Sequence, residues 1–353
     1  MHVVVMGAGA LGTLFGAAAS RGGATRVTLV ARNAHARAIN ADGIVVRNPD
    51  GELRVRHPGL VAVTDISGVE GDVDCLLFTM KDGAMSAALS AAGALGDRAR
   101  CFLSLQNGVG QVARLQSVFG SEKVVGATTM EGAAMVGPGV IDHLLASTTY
   151  LGELDGARTA RIEMIADIFR RGGVDTEVIG DITVALWTKF VQSCAASGVC
   201  GVTRVGFAPA TRTEAGARLY VALVQEGIAV MRASGMEPGA YFTDAARVRE
   251  VANLSTDVAV GLVRGLAAEM VERGYTGATS LARDLAQGRP SEADALMGEM
   301  CRMADAHGIP VPTTRAVYLA IATVDEMAAR ALRAVTTAGA ACPSPRRDKG
   351  ADP

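Results

Sequence analysis

Long hydrophobic runs are missing from this sequence, although 49% of its 353 residues are hydrophobic. Gly, Arg, Asp or Glu interrupts every apolar stretch before it reaches the roughly 20 residues that a membrane-spanning helix needs. The first residues, Met1 to Val5, have the pattern of a strand and lack the basic and small-residue regions of a secretory signal peptide. We therefore expect a cytoplasmic protein with no membrane partner.

The sequence also lacks an excess of one charge and lacks residues spaced as metal ligands. The formal net charge is -2, and the longest basic cluster is the short segment 346–349. The sequence therefore predicts no extended basic surface for a nucleic acid. The six cysteines form no CxxC pair, and the five histidines do not join them at zinc-ligand spacing. We expect no metal site, and we expect reduced, mostly buried thiols. The cysteines are Cys75, Cys101, Cys194, Cys200, Cys301 and Cys342.

The first 130 or so residues alternate short apolar segments with helix-like segments. This is the pattern of a parallel sheet covered by helices, and glycine or polar residues mark the turns between its elements. Predicted strands lie at residues 3–6, 27–30, 75–79, 102–105 and 124–128. This part of the sequence therefore predicts an α/β fold with a Rossmann-type doubly wound sheet.

Beyond that sheet the pattern changes twice. Residues 136–151 are rich in β-branched and aromatic side chains around a Gly-Pro-Gly segment, which predicts antiparallel strands before a helix from about 157 to 171. After Asp181, long segments with helical periodicity predict an all-α domain. We expect the α/β domain over 1–175 and the helical domain over 180–335. Residues 336–353 lack apolar periodicity and are expected to be a disordered tail.

A glycine-rich motif follows the first predicted strand and opens the helix predicted over residues 10–21. Gly7 permits a tight turn, Gly9 lets a pyrophosphate approach the backbone, and Gly12 allows close packing of helix and sheet. The helix N-terminus, at Ala10 and Leu11, supplies free N–H groups and a positive dipole end to the phosphates. This context predicts a dinucleotide site rather than a glycine-rich turn without a ligand.

The end of the second strand selects between the two nicotinamide dinucleotides. An acidic residue there would bind the ribose 2′-OH of NAD, whereas an arginine would accept the 2′-phosphate of NADP. This strand ends in Ala31-Arg32, with Arg37 nearby and no carboxylate to compete. A planar guanidinium pairs well with a phosphate, so Arg32 predicts NADP. The alternative is a solvated surface arginine.

Further short motifs lie along the rest of the chain. They are Thr79-Met80-Lys81, Gln106-Asn107-Gly108-Val109-Gly110, Gly137-Pro138-Gly139, Leu186-Trp187-Thr188-Lys189, Ser280 with Asp284 and the segment 288–294, and the segment 307–312. Together with the glycine motif they resemble the ketopantoate reductase family over about residues 1–325. The resemblance implies NADPH-dependent reduction of a 2-oxo acid, 2-dehydropantoate, to the 2-hydroxy acid pantoate. It also implies that the first domain binds NADP and the second binds substrate and forms a homodimer contact.

The resemblance further assigns two catalytic residues. It implies that Lys189 is the general acid for the keto oxygen and that Glu292 orients the substrate beside it. Hydride addition to a ketone builds an alkoxide, so a proton-donating cation near a carboxylate suits that step. Without the resemblance, Lys189 would be interpreted as a surface lysine whose ammonium reaches solvent, and Glu292 as a helix-start carboxylate.

Three more positions match binding residues of the family. Asn107 and Lys81 match cofactor contacts at the carboxyl edge of the sheet, where open α/β sheets hold their ligands. Ser280 matches a serine that helps to bind the substrate carboxylate, and the alternative role for Ser280 is that of a helix cap.

The sequence departs from the family at three positions near these residues. Ser193 and Ser197 stand where family members usually carry asparagines, and Gly277 replaces another asparagine. Each replacement shortens or removes a hydrogen-bonding side chain, so we expect a larger and less specific pocket. We retain Ser193 and Ser197 as substrate-binding residues. A paralogous reductase of a different 2-oxo acid or of a β-keto compound is therefore an alternative function.

Two other readings belong to different classes of function. An NADPH-binding sensor without turnover would bind the cofactor and reduce nothing, but the presence of Lys189 and Glu292 argues against it. A dehydrogenase of a sugar phosphate or glycerol phosphate would need a basic phosphate pocket in the helical domain, and the sequence offers none there.

Overall fold

The structure, a computed structural model, describes residues 1–242 and 247–340, with the side chains of the last helix described through residue 329. The strands are β1 His2–Met6, β2 Arg26–Val30, β3 Ile44–Asn48, β4 Gly51–Val55, β5 Leu60–Val63, β6 Cys75–Phe78, β7 Phe102–Ser104, β8 Val125–Thr129, β9 Gly132–Gly137, β10 Val140–Leu145, β11 Thr149–Glu153 and β12 Thr176–Val178. The helices are α1 Ala10–Arg21, α2 Asn33–Asp42, α3 Met85–Ala92, α4 Gly110–Phe119, α5 Ala160–Arg171, α6 Ile182–Thr203, α7 Phe207–Thr211, α8 Glu214–Ala233, α9 Val248–Asn253, α10 Thr256–Glu272, α11 Ser280–Ala286, α12 Glu299–His307 and α13 Pro312–Ala340.

A parallel sheet forms the centre of the first unit, with strand order β5-β2-β1-β6-β7. Strand β8 joins its edge through a parallel bridge between Phe102 and Val124, and β11 then pairs antiparallel with β8 and parallel with β12. Every residue of β1 and β6 is buried, as expected for strands covered by helices on both faces. The predicted doubly wound sheet is confirmed.

Aromatic side chains hold helices against both faces of this sheet. On one face, Phe15 of α1 packs edge to face on Phe169 of α5, with ring centroids 5.1 Å apart. On the other face, Phe119 of α4 stacks on Phe102 of β7 at 3.8 Å. Burial of each such ring contributes roughly 1.5–3 kcal/mol to folding. The two faces thus fix the position of the strand ends that carry the candidate site.

A second, smaller sheet covers α1. Its order is β4-β3-β10-β9, and β9 and β10 are antiparallel around the turn at Gly139. The predicted antiparallel strands after residue 136 are therefore confirmed, although β10 also pairs parallel with β3. The helix predicted from about residue 157 begins at Ala160, because the hydroxyl of Thr159 accepts a hydrogen bond from the Ile162 N–H and caps it.

The described residues of the second unit form helices joined by loops and contain no strand, as predicted. Helix α6 is buried over most of its length and forms the centre of a single apolar core with α8, α10 and the later helices. The first unit ends with β12 (Thr176–Val178), which completes a sheet with β11 and lies between the expected domains of 1–175 and 180–335. Helix α13 continues past residue 336, where we expected the tail to begin, and ends at Ala340. The rest of the predicted tail, residues 341–353, lies outside the described residues.

Three further observations concern the described residues alone. No helix among them is long and apolar enough to cross a membrane. No group of three or more His, Cys, Asp or Glu side chains among them could hold a metal ion. The five cysteines in this part of the chain are free and buried, as the sequence predicts. Cys342 lies outside the described residues.

Candidate active site

The glycine loop lies where β1 and β6 end side by side, at the point where the strand order reverses. Gly7 has a φ of +87°, which an L side chain rarely adopts, and a Cβ there would lie 2.7 Å from the Cβ of Met80. A Cβ on Gly12 would collide with the Thr79 hydroxyl and lie 3.0 Å from Val5. Gly7 therefore forms a turn that favours glycine, and Gly12 lies at a close contact between helix and sheet.

Gly9 differs because the chain leaves the space beside it open. A Cβ at Gly9 would approach only the Gly7 carbonyl oxygen, at 4.0 Å. Gly9 is the N-cap of α1, and this helix has neither a capping side chain nor an acidic residue in its first turn. Ala10 and Leu11, its first residues, are half-buried. The loop thus offers room and free N–H donors to an anionic group such as a pyrophosphate.

Arg32 follows β2 and is the N-cap of α2, again without a capping side chain or a first-turn acid. Arg32 and Arg37 are both exposed, and neither guanidinium has a partner among the residues that the structure describes. Asp42 at the far end of α2 pairs with Arg56 instead. The start of α2 therefore presents a cation and free N–H groups without a competing carboxylate, which suits a phosphate.

Lys189 lies in the middle of α6 and is only 8% exposed. The neighbouring residues Trp187 and Phe190 are buried as well, and their rings pack edge to face at 5.9 Å. Burial lowers the pKa of Lys189 to about 8, and the charge of Glu292 opposes that shift. The alternative interpretation of Lys189 as a surface lysine is therefore wrong. Its ammonium is a stronger proton donor than an exposed one.

Glu292 directly precedes a helical turn in the second unit and connects to the first unit. Its Oε1 accepts a hydrogen bond of 3.3 Å from the backbone N–H of Asp82. Burial raises the pKa of Glu292, while the Asp82 N–H, the charge of Lys81 and the amide of Asn107 oppose the shift. A π-helical turn, Asp294–Gly298, follows at once, and such turns are frequent at functional sites.

Asp82 is a residue of this site that the sequence analysis missed. Its Oδ1 accepts a 2.6 Å hydrogen bond from Arg114 of α4. Gln111 of the same helix donates to the carbonyl oxygen of Asn107 at 2.8 Å. Asp82 follows the matched Lys81 directly, but nothing in the sequence indicates that its backbone N–H would reach Glu292. That contact exists only because the two units dock.

Lys81 connects the same two units. Its ammonium forms an ion pair with Asp284 of α11, and Arg289 donates to the other Asp284 oxygen at 3.0 Å. Asp284 is 2% exposed, and these two cations are its partners in this buried position. The sequence analysis gave Asp284 no role of its own. Its spacing of one helical turn from Ser280 was the available signal, because residues i and i+4 share a helix face.

The three candidate serines lie on helices of the second unit. Ser193 and Ser197 follow Lys189 by one and two turns of α6, so the three residues share a face. Ser193 makes only a long 3.4 Å contact to Gln192, and the hydroxyl of Ser197 has no partner in the described part of the chain. Ser280 is the first residue of α11, and Thr279 is its cap. The alternative of Ser280 as the cap is therefore wrong.

The structure thus brings Lys189, Glu292, Asn107 and Lys81 to one region between the two units. Arg32 lies apart from them, beyond the glycine loop at the end of β2, and no contact joins it to the catalytic pair among the described residues. Such a separation is expected for a dinucleotide, because its 2′-phosphate and its nicotinamide are at opposite ends. This arrangement can hold an extended anionic cofactor and deliver a proton near one end of it.

Known families match both units. Residues 3–156 match the family described as "Ketopantoate reductase PanE/ApbA", and residues 181–325 match "Ketopantoate reductase PanE/ApbA C terminal". A relative named 2-dehydropantoate 2-reductase from Halobacterium salinarum is 31% identical over 316 residues, which cover 89% of this chain and 96% of the relative.

Solved structures share the whole architecture. A ketopantoate reductase of the PanE/ApbA family from Ralstonia eutropha is 28% identical, with a TM-score of 0.75 and coverage of 93% of this chain and 99% of that one. A D-mandelate dehydrogenase, solved with NADH and anilino(oxo)acetate, has a TM-score of 0.77 at 20% identity and the same coverage. The second likeness shows the fold alone.

Proposed function

The chain belongs to the ketopantoate reductase family, and on that premise we propose that it reduces a 2-oxo acid to a 2-hydroxy acid with NADPH. The first substrate that we propose is 2-dehydropantoate, which gives pantoate. Relatives with this name are oxidoreductases that act on CH–OH groups. The observation that carries the proposal is the buried Lys189, whose pKa is lowered to about 8 beside the carboxylate of Glu292.

In this proposal Lys189 donates the proton of the reaction. NADPH supplies the hydride when it is bound. Negative charge then develops on the keto oxygen, and the Lys189 ammonium stabilises that charge and transfers a proton to it. A pKa of about 8 keeps the ammonium protonated at neutral pH while it weakens the N–H bond to be broken. Burial also removes competing water from the ammonium.

Glu292 orients the substrate beside Lys189. The Asp82 N–H fixes one oxygen of the carboxylate at 3.3 Å, and in this proposal the carboxylate also accepts a hydrogen bond from a substrate hydroxyl. Because Asp82 belongs to the first unit and Glu292 to the second, this hydrogen bond also sets the spacing between the cofactor region and the catalytic residues. Asn107 contributes its amide at the same place.

The first unit would hold the cofactor through seven backbone or side-chain positions and Asn107. The open space at Gly9 and the uncapped N-terminus at Ala10 and Leu11 fit a pyrophosphate, with Gly7 and Gly12 shaping the turn. The unpaired guanidinium of Arg32 fits a 2′-phosphate and supports NADP rather than NAD. Lys81 would contact the cofactor from the carboxyl edge of the sheet.

The second unit would hold the substrate. Ser193 and Ser197 lie on the Lys189 face of α6 with hydroxyls that have weak or no partners in the described chain, and Ser280 starts the helix that carries Asp284. These short hydroxyls leave more room than asparagines would. They favour, as a second candidate function, reduction of a bulkier or less polar 2-oxo acid, or of a β-keto compound, by the same chemistry.

We include a homodimer in the proposal. Leu319 and Met327 lie two turns apart on α13, so they share a face, and they are 58% and 65% exposed. A subunit contact at this helix would bury both apolar side chains. Light scattering coupled to gel filtration would contradict this part if it gave a monomer at every concentration.

A substrate screen tests the proposed function. The purified protein is mixed with NADPH and a panel of 2-oxo acids that includes 2-dehydropantoate, the loss of NADPH is followed by absorbance, and each product is identified by mass spectrometry. We expect a 2-hydroxy acid product with at least one member of the panel. Tight binding of NADPH without turnover of any member would instead favour a cofactor sensor.

A further inference from the structure

A chain of buried hydrogen bonds connects the glycine loop to the start of α2. The backbone N–H of Gly139 donates to Nδ1 of His35 at 2.8 Å. The other ring nitrogen, Nε2, lies 2.9 Å from the hydroxyl of Thr13, and that hydroxyl donates to the carbonyl oxygen of Gly9 at 2.7 Å. Thr13 is fully buried and His35 is 7% exposed, so both side chains lie beneath the surface of the first unit.

The direction of every donor in this chain is fixed. The Gly139 N–H can only donate, so Nδ1 must be the acceptor and the neutral imidazole must carry its hydrogen on Nε2. That hydrogen points to Thr13 Oγ1, which leaves the Thr13 hydroxyl hydrogen for the Gly9 carbonyl. Burial lowers the pKa of His35 and so favours the neutral form that this arrangement requires. All four groups are satisfied only in this arrangement.

These bonds join three separate segments. Thr13 belongs to α1, and Gly139 to the turn between β9 and β10. His35 belongs to the first turn of α2, three residues after Arg32. Gly139 also packs on α2, because a Cβ there would lie 3.2 Å from the Cβ of Ala38. The start of α2 is therefore held in position relative to the glycine loop by His35 rather than by a capping side chain of its own.

We propose that His35 is a positioning residue for cofactor selection: through Thr13 it holds the first turn of α2, and with it Arg32, at a fixed distance from the pyrophosphate loop. This inference rests on the proposed use of NADP. A long, flexible arginine binds a phosphate best when its backbone is held in place, since less conformational entropy is then lost on binding. NADH has no 2′-phosphate, so its binding does not depend on where Arg32 lies.

Replacement of the Thr13 hydroxyl tests this role with little change in shape. Thr13→Val removes the acceptor for His35 while the Thr13 backbone N–H still bonds to the Gly9 carbonyl at 2.9 Å, so the glycine loop keeps one of its bonds. Thr211→Val is the matched control. Thr211 is equally buried and also donates to the carbonyl four residues earlier, at 2.8 Å, but it has no histidine partner. Thr13→Ser restores the hydroxyl.

The measurement is the dissociation constant of each cofactor, by fluorescence titration of the purified protein with NADPH and with NADH. We expect Thr13→Val to weaken NADPH binding about tenfold and NADH binding less than threefold, whereas Thr13→Ser and Thr211→Val keep the wild-type ratio. In an Arg32→Ala background, Thr13→Val should weaken both cofactors equally. His35→Phe should repeat the loss if Thr13→Val does not fold.

Equal weakening of NADPH and NADH by Thr13→Val, or no weakening of either, would overturn the positioning role. The single variant Arg32→Ala separates this failure from a failure of the cofactor assignment. If Arg32→Ala leaves the NADPH preference unchanged, NADP selection by Arg32 is wrong and the inference is wrong with it. If Arg32→Ala removes the preference but Thr13→Val does not reduce it, the inference alone is wrong.

Discussion

The carboxylate of Glu292 raises the pKa of Lys189, while the burial of Lys189 within α6 lowers it to a final value of about 8. Lys189 belongs to α6, whereas Glu292 lies just before the π-helical turn Asp294–Gly298 and is fixed by the Asp82 N–H of the first unit. The protonation state of the proposed acid therefore depends on the docking of the two units as well as on its own burial.

The pH dependence of reduction should report this lowered pKa. Because the protonated form of Lys189 is the active one, kcat/KM for the 2-oxo acid should be highest below pH 8 and should fall as the pH rises through about 8. An ordinary lysine would place this fall near a pKa of about 10.4. A profile that stays flat up to pH 10 would contradict the burial of the acid.

The variant Glu292→Gln provides a second test of the pKa of Lys189. The substitution removes the charge that raises the pKa of Lys189, so the alkaline fall in kcat/KM should move to a lower pH. Glu299→Gln is a suitable control, because Glu299 pairs with Arg302 on α12. An unchanged alkaline fall in Glu292→Gln would mean that the two groups do not interact.

The glycines of the loop should respond differently to alanine. At Gly9 the backbone φ is -77° and the added methyl meets no protein atom closer than 4.0 Å, so Gly9→Ala should fold with a stability within about 0.5 kcal/mol of the wild type. The methyl would occupy the space left for the pyrophosphate, so NADPH affinity should fall at least tenfold.

Gly12→Ala, in contrast to Gly9→Ala, should mainly reduce the stability of the protein. Its methyl would lie 2.9 Å from the Gly7 carbonyl and collide with Thr79, and overpacking of this kind costs about 1–3 kcal/mol or more. Thermal unfolding and NADPH titration of both variants provide the comparison. A Gly9→Ala protein with full NADPH affinity would rule out pyrophosphate binding at this loop.

Arg32 should determine the preference for NADPH over NADH. Removal of a charge-assisted contact with the 2′-phosphate in Arg32→Ala should lower kcat/KM with NADPH by roughly tenfold to a hundredfold and leave the value with NADH nearly unchanged. Arg37→Ala is the matched control, since Arg37 is an equally exposed arginine further along α2. Equal values of kcat/KM with NADPH and NADH for the wild type would show that Arg32 does not select NADPH.

The serines of α6 should determine substrate range. Since Ser193 and Ser197 present short hydroxyls, the wild type should reduce at least one bulkier or less polar 2-oxo acid more efficiently than 2-dehydropantoate. Ser193→Asn and Ser197→Asn should each move the ratio of kcat/KM toward 2-dehydropantoate, by up to about tenfold for a restored hydrogen bond. Ser90→Asn, at an exposed position of α3, is the control.

If the wild type favours 2-dehydropantoate over every larger 2-oxo acid tested, the serines serve the same contacts as asparagines, through water. The enlarged pocket would then be excluded.

Much of the fold could be predicted because its signals are local. The buried strands of the central sheet are continuous apolar runs, and the glycine motif between β1 and α1 has a fixed spacing. The hairpin of β3 and β4 was missed. Those strands are short and partly exposed, and the pairing of β3 with β10 joins residues that no local pattern connects.

The candidate site was predicted less completely, because its contacts also join residues that no local pattern connects. Lys189 and Glu292 follow from motifs, but the Lys81–Asp284 ion pair and the Asp82–Glu292 hydrogen bond join residues 203 and 210 positions apart. Both depend on how the two units pack together. The hydrogen-bonded chain through His35 likewise depends on a turn 104 residues further along.

The most direct test of the central claim compares the wild type with Lys189→Ala in the reduction of 2-dehydropantoate by NADPH, or of the best 2-oxo acid from the screen. Removal of a positioned proton donor should lower kcat on the order of 10²-fold or more, while the dissociation constant of NADPH stays nearly the same, because Lys189 acts on the keto oxygen. Lys123→Ala, at a lysine that donates a hydrogen bond to the Gly96 carbonyl, should keep wild-type kcat. A Lys189→Ala enzyme that retains more than half of the wild-type kcat would contradict the account.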